Sequence, residues 1–178
     1  MKILLSSFLS FTKKEIKKGR SMQPNFKKLH LFHSFIGGVI AIGFLGILSN
    51  LSNYSLLIAP FGTSTVLLFG APNSPLSQPR NLIVGNLIGA ISAVLCVMFI
   101  GNSSLASGIA VGLAIALGQF FRCLHPPAGA VALLGVILKA SPIFILIPVF
   151  FGSLILLWIA IIFHVFQRTV PPYPLHWL

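Results

Sequence analysis

The sequence predicts an all-α membrane protein with about six transmembrane segments, two of them short or broken. Three observations carry that prediction. Only 7% of the 178 residues are charged while 56% are hydrophobic, against about 25% charged in an ordinary soluble domain, so little polar surface is available to face water. Apolar runs long enough to cross a bilayer, at about 20 residues per span, recur between short polar breaks. The basic residues are concentrated at one end: eight of the twelve Lys and Arg fall in the first 28 positions.

That clustering decides how the net charge of +11 is read. Basic residues interleaved with aromatics along a folded face would suggest nucleic acid. Here Lys2, Lys13, Lys14, Lys17, Lys18, Arg20, Lys27 and Lys28 immediately precede the first long apolar run. Such juxtamembrane clusters stay on the cytoplasmic side and attract anionic lipid head groups. The expected arrangement is a basic cytoplasmic tail over residues 1–28 and a transmembrane domain over residues 29–178. The setting is the cell inner (plasma) membrane, the partner is bilayer lipid rather than nucleic acid, and a homo-oligomer is allowed. The apolar stretch over residues 1–11 is followed by lysines and lacks an A-x-A-like site, which argues against a cleaved signal peptide.

A glycine-rich first helix is expected over residues 31–51, ended by Ser52, Asn53 and Tyr54. The next apolar segment, residues 55–71, contains Ala59-Pro60-Phe61-Gly62-Thr63-Ser64; proline lacks an N–H and clashes with the preceding turn, so a broken helix or one starting near Pro60 is expected. Residues 72–81 hold three prolines and several turn formers, which makes them a loop or a loop buried in protein. Helices over 82–100 and 104–121 follow, joined by the tight turn Gly101-Asn102-Ser103. His125-Pro126-Pro127-Ala128-Gly129-Ala130 opens a short segment ending near residue 138, and a last helix covers 142–166.

The order long helix, proline-initiated short segment, long helix occurs twice, as in inverted repeats. Six crossings place both termini in the cytoplasm with Arg80, Arg122 and Arg168, and leave Lys139 alone outside. A re-entrant segment at His125 would instead move the C-terminus and Arg168 outside. Gly85, Gly89 and Ala93 share one face of the third helix, and Ser104, Gly108, Gly112 and Ala116 one face of the fourth. These are small-residue stripes suited to close packing within a bundle or to dimerisation.

The only carboxylic side chain is Glu15, which leaves the membrane domain without a carboxylate-ligated metal site, a glycosidase pair or a complete Ser-His-Asp triad. A Ser-His or Cys-His dyad from Ser64, Cys123 and His125 is formally open, but no G-x-S-x-G elbow is present. The chain is therefore expected not to be an enzyme, and to use neither metal nor cofactor. Cys96 and Cys123 lack CxxC spacing and read as small core residues.

Ionisable groups at membrane depth are costly and so become functional candidates; here they are Arg80, Arg122 and His125, all beside proline breaks. Without acidic partners the arginines must pair with carbonyls, lipid phosphates, water or a transported anion. A half-helix starting inside the membrane points unpaired N–H groups and its positive end inward, which suits anions. Thr63, Ser64 and Thr65 could add hydroxyl donors, while Gly62, Ala128 and Gly129 allow close backbone approach. The candidate substrate-binding set is thus Pro60, Phe61, Gly62, Thr63, Ser64, Thr65, Arg80, Arg122, His125, Pro126, Pro127, Ala128, Gly129 and Ala130. Each member also has a bland reading, as an interfacial snorkelling cation, a helix cap or a packing residue. His30, His33, His164 and His176 are assigned to the interface.

The run His125-Pro126-Pro127-Ala128-Gly129-Ala130 resembles the motif that names the HPP family. Ala59-Pro60-Phe61-Gly62-Thr63-Ser64, Ser77-Gln78-Pro79-Arg80-Asn81 and Tyr173-Pro174-Leu175-His176-Trp177 look like family signatures in the same order, covering residues 29–177. The resemblance implies an integral membrane protein. Plastid and cyanobacterial members are associated with nitrite transport, so it also implies a small inorganic anion as substrate. Thr63-Ser64 departs from the smaller side chains found in many members. The rival expectation is a non-transporting membrane subunit that binds a partner protein through its small-residue helix faces.

Overall fold

The computed structural model describes residues 12, 15, 18, 25–52, 54–167 and 172–177. Lys2, Lys13, Lys14, Lys17, Arg20, Asn53, Arg168 and the whole apolar stretch over residues 1–11 lie outside the described residues. From Lys28 on, six helices follow: α1 Lys28–Ser52, α2 Ala59–Gly70, α3 Asn81–Phe99, α4 Ser104–Phe120, α5 Pro126–Ile137 and α6 Ile145–Phe166. By length and composition α1, α3 and α6 can each cross a membrane, and the other three are shorter apolar helices. At 1.5 Å per residue, α2 and α5 are each about 18 Å long, against a hydrocarbon core of about 30 Å.

Local sequence explains the boundaries. Pro60 and Pro126 sit in the first helical turns of α2 and α5, where a missing N–H costs nothing and φ is already set. Ser103 caps α4 by accepting a bond from the Ala106 N–H at 3.1 Å, and Gly101 before it takes φ +88°, a left-handed turn that glycine adopts without strain. The last helix departs from expectation. In place of a smooth helix from residue 142, Ile147 is extended (φ −127°, ψ 116°) ahead of Pro148, and regular α-helix covers only Phe151–Phe166. Proline removes a donor and disfavours helical geometry in the residue before it.

Hydrogen bonds fix the direction of travel. Ser34 near the start of α1 donates to Phe69 O near the end of α2 at 2.7 Å. Arg80 and Asn81 at the start of α3 donate to Phe121 O and Leu124 O after α4. His125 at the start of α5 bonds Leu76 O, and Tyr173 beyond α6 donates to Ser77 O at 2.8 Å. The 71–80 loop, the 121–125 turn and the C-terminal segment therefore share one end of the bundle. The helices alternate in direction, and a re-entrant α5 is ruled out because it would send Tyr173 to the far end. The antiparallel α2 and α5 are what an inverted pair of units requires, although their settings differ: α5 is packed against both α3 and α4, whereas α1 buries only the narrow stripe Gly37, Ala41 and Leu45.

Close approach between helices depends on glycine. A Cβ on Gly85 would lie 2.6 Å from His125 Cβ, and one on Gly135 2.6 Å from Ala93 Cβ. A Cβ on Gly89 would collide with Ala128 O, and one on Gly152 with the Phe61 ring. The stripe Gly85, Gly89, Ala93 thus serves packing inside the bundle. On α4, by contrast, the buried stripe is Ala106, Ala110, Ala114 and Gly118. Ser104, Gly108, Gly112 and Ala116 are exposed, and Cβ atoms on Gly108 and Gly112 would meet nothing within 4 Å.

Candidate functional site

Four helices close into a ring around a polar centre. Ser64 on α2 meets His125 at the head of α5, Gly85 and Gly89 seat α5 on α3, Asn86 on α3 meets Ser153 on α6, and the Phe61 ring of α2 fills the notch at Gly152 of α6. Ser64, His125, Asn86 and Ser153 are at most 1% exposed.

The imidazole of His125 has a defined orientation. Nδ1 lies 2.9 Å from Leu76 O and Nε2 lies 3.0 Å from Ser64 Oγ. A carbonyl only accepts, so Nδ1 carries the proton; in the neutral ring Nε2 then accepts from the Ser64 hydroxyl. A base held by a backbone carbonyl beside a hydroxyl has the shape of a nucleophilic dyad, but both residues are enclosed.

Beneath His125 the 71–80 loop, buried only at Ser77, Gln78 and Pro79, is a polar hub. Gln78, fully buried, donates from Nε2 to Pro72 O and Ser74 O, each at 2.9 Å, and accepts from the Leu175 N–H. Burial raises the pKa of the Tyr173 phenol above its ordinary value, so it stays a donor to Ser77 O. Arg80 directs one guanidinium nitrogen to Phe121 O at 2.8 Å. Arg122, one residue on, is exposed and held at φ +53°.

The fourteen residues read from the sequence therefore fall into separate places. Ser64, Arg80, Arg122 and His125 gather at the loop end. Pro60, Thr63 and Ala130 instead line a shallow apolar groove with Ala59, Leu133, Leu134 and Ile137. Because α2 and α5 are antiparallel, their N-termini point opposite ways and do not converge on one ligand. Their backbone donors are also mostly spent or absent: Pro126 and Pro127 have no N–H, Ala128 N–H donates to His125 O at 2.9 Å, and Phe61 N–H donates to Ile58 O at 3.0 Å. Phe61, Pro127 and Ala128 are buried, Thr65 places its methyl 3.9 Å from a Cβ on Gly38, Gly62 and Gly129 are half-buried, and Pro126 is exposed.

Sequence reasoning missed Asn86 and Ser153. Its available signal was an amide set one turn into a long apolar run, which is expensive in lipid and so informative. It also misplaced His164, which is buried, stacks on Phe69 with ring centroids 5.7 Å apart and bonds Leu68 O at 2.9 Å. The two cysteines are buried, as expected for core residues.

A bundle of antiparallel apolar helices around a buried polar ring is a multi-pass integral membrane protein. The chain belongs to the HPP family: residues 23–174 match the family model described as HPP, transmembrane region. A protein of Dictyostelium discoideum named only as a transmembrane protein is 41% identical over 129 residues, covering 68% of this chain and 45% of that protein. A second from the same organism, named likewise, is 40% identical over 129 residues, covering 68% of this chain and 41% of its own length. The chain thus spans less than half the length of these curated relatives. No solved structure matches it.

Proposed function

We propose that this chain passes a small inorganic anion, nitrite or a relative, across the membrane without covalent chemistry, metal or cofactor. One observation carries the reading. Arg80 and Arg122 flank the same turn beside His125, in a chain whose sole carboxylate is Glu15, so the polar end of the bundle is cationic and free of acidic competitors. In this reading the arginines draw the anion in and His125 gates or carries an accompanying proton. The positive-inside rule puts that end, the N-terminal tail and anionic lipid contact on the cytoplasmic face of the cell inner membrane.

The test is uptake by liposomes containing the purified protein, with nitrite, nitrate, formate and chloride across an imposed pH gradient. Saturable nitrite flux that is lost in Arg80→Gln and in His125→Ala supports the reading. Flux unchanged in those variants and in Arg122→Gln refutes the anion funnel. The exposed stripe Ser104, Gly108, Gly112, Ala116 favours a second reading, a membrane subunit that binds a partner helix there. No flux from folded protein, together with one stoichiometric copurifying partner, would support it.

A further inference from the structure

The ring holds two polar pairs, and only one is saturated. Both ring nitrogens of His125 are engaged, by Leu76 O and Ser64. Asn86 makes one bond, from Nδ2 to Ser153 Oγ at 3.1 Å, and its Oδ1 has no partner although the residue is fully buried. A primary amide offers two donors and two lone pairs, and burying part of that capacity unpaired is unfavourable, so its presence here calls for something that completes it.

We infer that Asn86, backed by Ser153, is the central binding site for the permeating anion; this deepens the transport reading and rests on it. A half-turn of the amide lets the Ser153 hydroxyl donate to Oδ1, which satisfies both groups and leaves the Nδ2 hydrogens free to bind. The Nδ2 hydrogens then occupy the side where Oδ1 has no partner, although Oδ1 and the Ser153 oxygen each keep a lone pair able to accept. The chain's sole acidic side chain is Glu15, so no carboxylate in the ring competes as a cation ligand. A neutral donor also binds an anion weakly enough for it to leave, as conduction demands.

Other locations are less suited. The backbone donors at the starts of α2 and α5 are mostly spent or absent. The remaining buried unpartnered side-chain atoms among the described residues are His33 Nδ1, Thr65 Oγ1, Ser92 Oγ and His164 Nδ1, and none belongs to the contacts that close the ring. Asn86 does: it follows Gly85, which touches His125, and its partner Ser153 follows Gly152, which receives Phe61. The anion would therefore pass from Arg80 and Arg122, by way of His125, to Asn86.

The experiment compares wild type, Asn86→Leu and Asn86→Ser in liposome flux of nitrite, nitrate, formate and chloride, with thermal unfolding in detergent as the measure of folding. Asn86→Leu should remain folded, with a lower unfolding temperature because Ser153 loses its partner, and lose flux by roughly tenfold or more, the scale of one lost hydrogen bond to a charged ligand. Asn86→Ser should recover part of the flux with a changed order among the four anions, which a purely structural role would not produce. Wild-type flux in Asn86→Leu, or an unchanged anion order in Asn86→Ser should the leucine variant not fold, overturns the inference and leaves the transport reading standing. No flux of any of the four anions through folded wild type overturns both.

Discussion

Gly85→Ala tests whether the Ser64 and His125 pair depends on helix contact. The added Cβ would sit 2.6 Å from His125 Cβ and 2.9 Å from Cys123 O, where ordinary contact begins at 3.4 Å. Relief needs a displacement of about 0.8 Å (3.4 − 2.6) at His125 and about 0.5 Å (3.4 − 2.9) at the carbonyl, in a core that tolerates overpacking poorly. The Ser64 to His125 bond is 3.0 Å long, so a shift of that size along it gives about 3.8 Å, beyond hydrogen-bonding range. Overpacking costs about 1–3 kcal/mol, and the broken buried bond adds about 1 kcal/mol or more. At about 2–4 °C per kcal/mol for a chain of this length, Tm in detergent falls by roughly 4–16 °C. Gly112→Ala, whose Cβ meets nothing within 4 Å, should stay within about 0.5 kcal/mol of wild type. In the Gly85→Ala background, Ser64→Ala should cost almost nothing further, because the bond it removes is already gone. An unchanged Tm in Gly85→Ala, or an equal loss in Gly112→Ala, would refute the reasoning.

Two further outcomes follow from single residues. Arg122→Gly removes a side chain from a left-handed backbone position (φ +53°); folding stability should hold or rise by about 1 kcal/mol while nitrite uptake falls, and a fall in Tm alongside uptake would assign Arg122 a structural role instead. Tyr173→Phe deletes the buried bond to Ser77 O, which should cost about 1 kcal/mol or more and speed amide exchange at Leu175, whose N–H is held by Gln78 Oε1; unchanged exchange would show that the C-terminal segment is held by packing alone.

Much of the fold was legible because lipid imposes simple rules on a chain. Helix ends at Ser103, Pro60 and Pro126 follow from caps and prolines that act within one turn. Membrane class follows from apolar runs and sparse charge, properties of composition and spacing. The small-residue stripes were equally visible, but their uses were not: the face carrying Gly85 and Gly89 is buried against α5, and the one carrying Gly108 and Gly112 is open. Both stripes have the same spacing, and only the neighbour each helix meets tells them apart.

The candidate site divides in the same way. Arg80, Arg122, His125 and Ser64 could be singled out from the sequence because charge, proline breaks and hydroxyls mark them one at a time. Which of them meet was decided by tertiary structure. Antiparallel packing of α2 and α5 brings Ser64 to His125, separates Pro60 and Thr63 from the arginines, and turns the two helix starts away from each other. It also gives Asn86 a partner on α6, 67 positions away in the chain. The sequence by itself determined that apolar helices must cross a membrane and where α2, α4 and α5 begin, since those effects act along the chain; the tertiary structure decided which polar groups share the interior, since hydrogen bonds between helices depend on distances that no local pattern encodes.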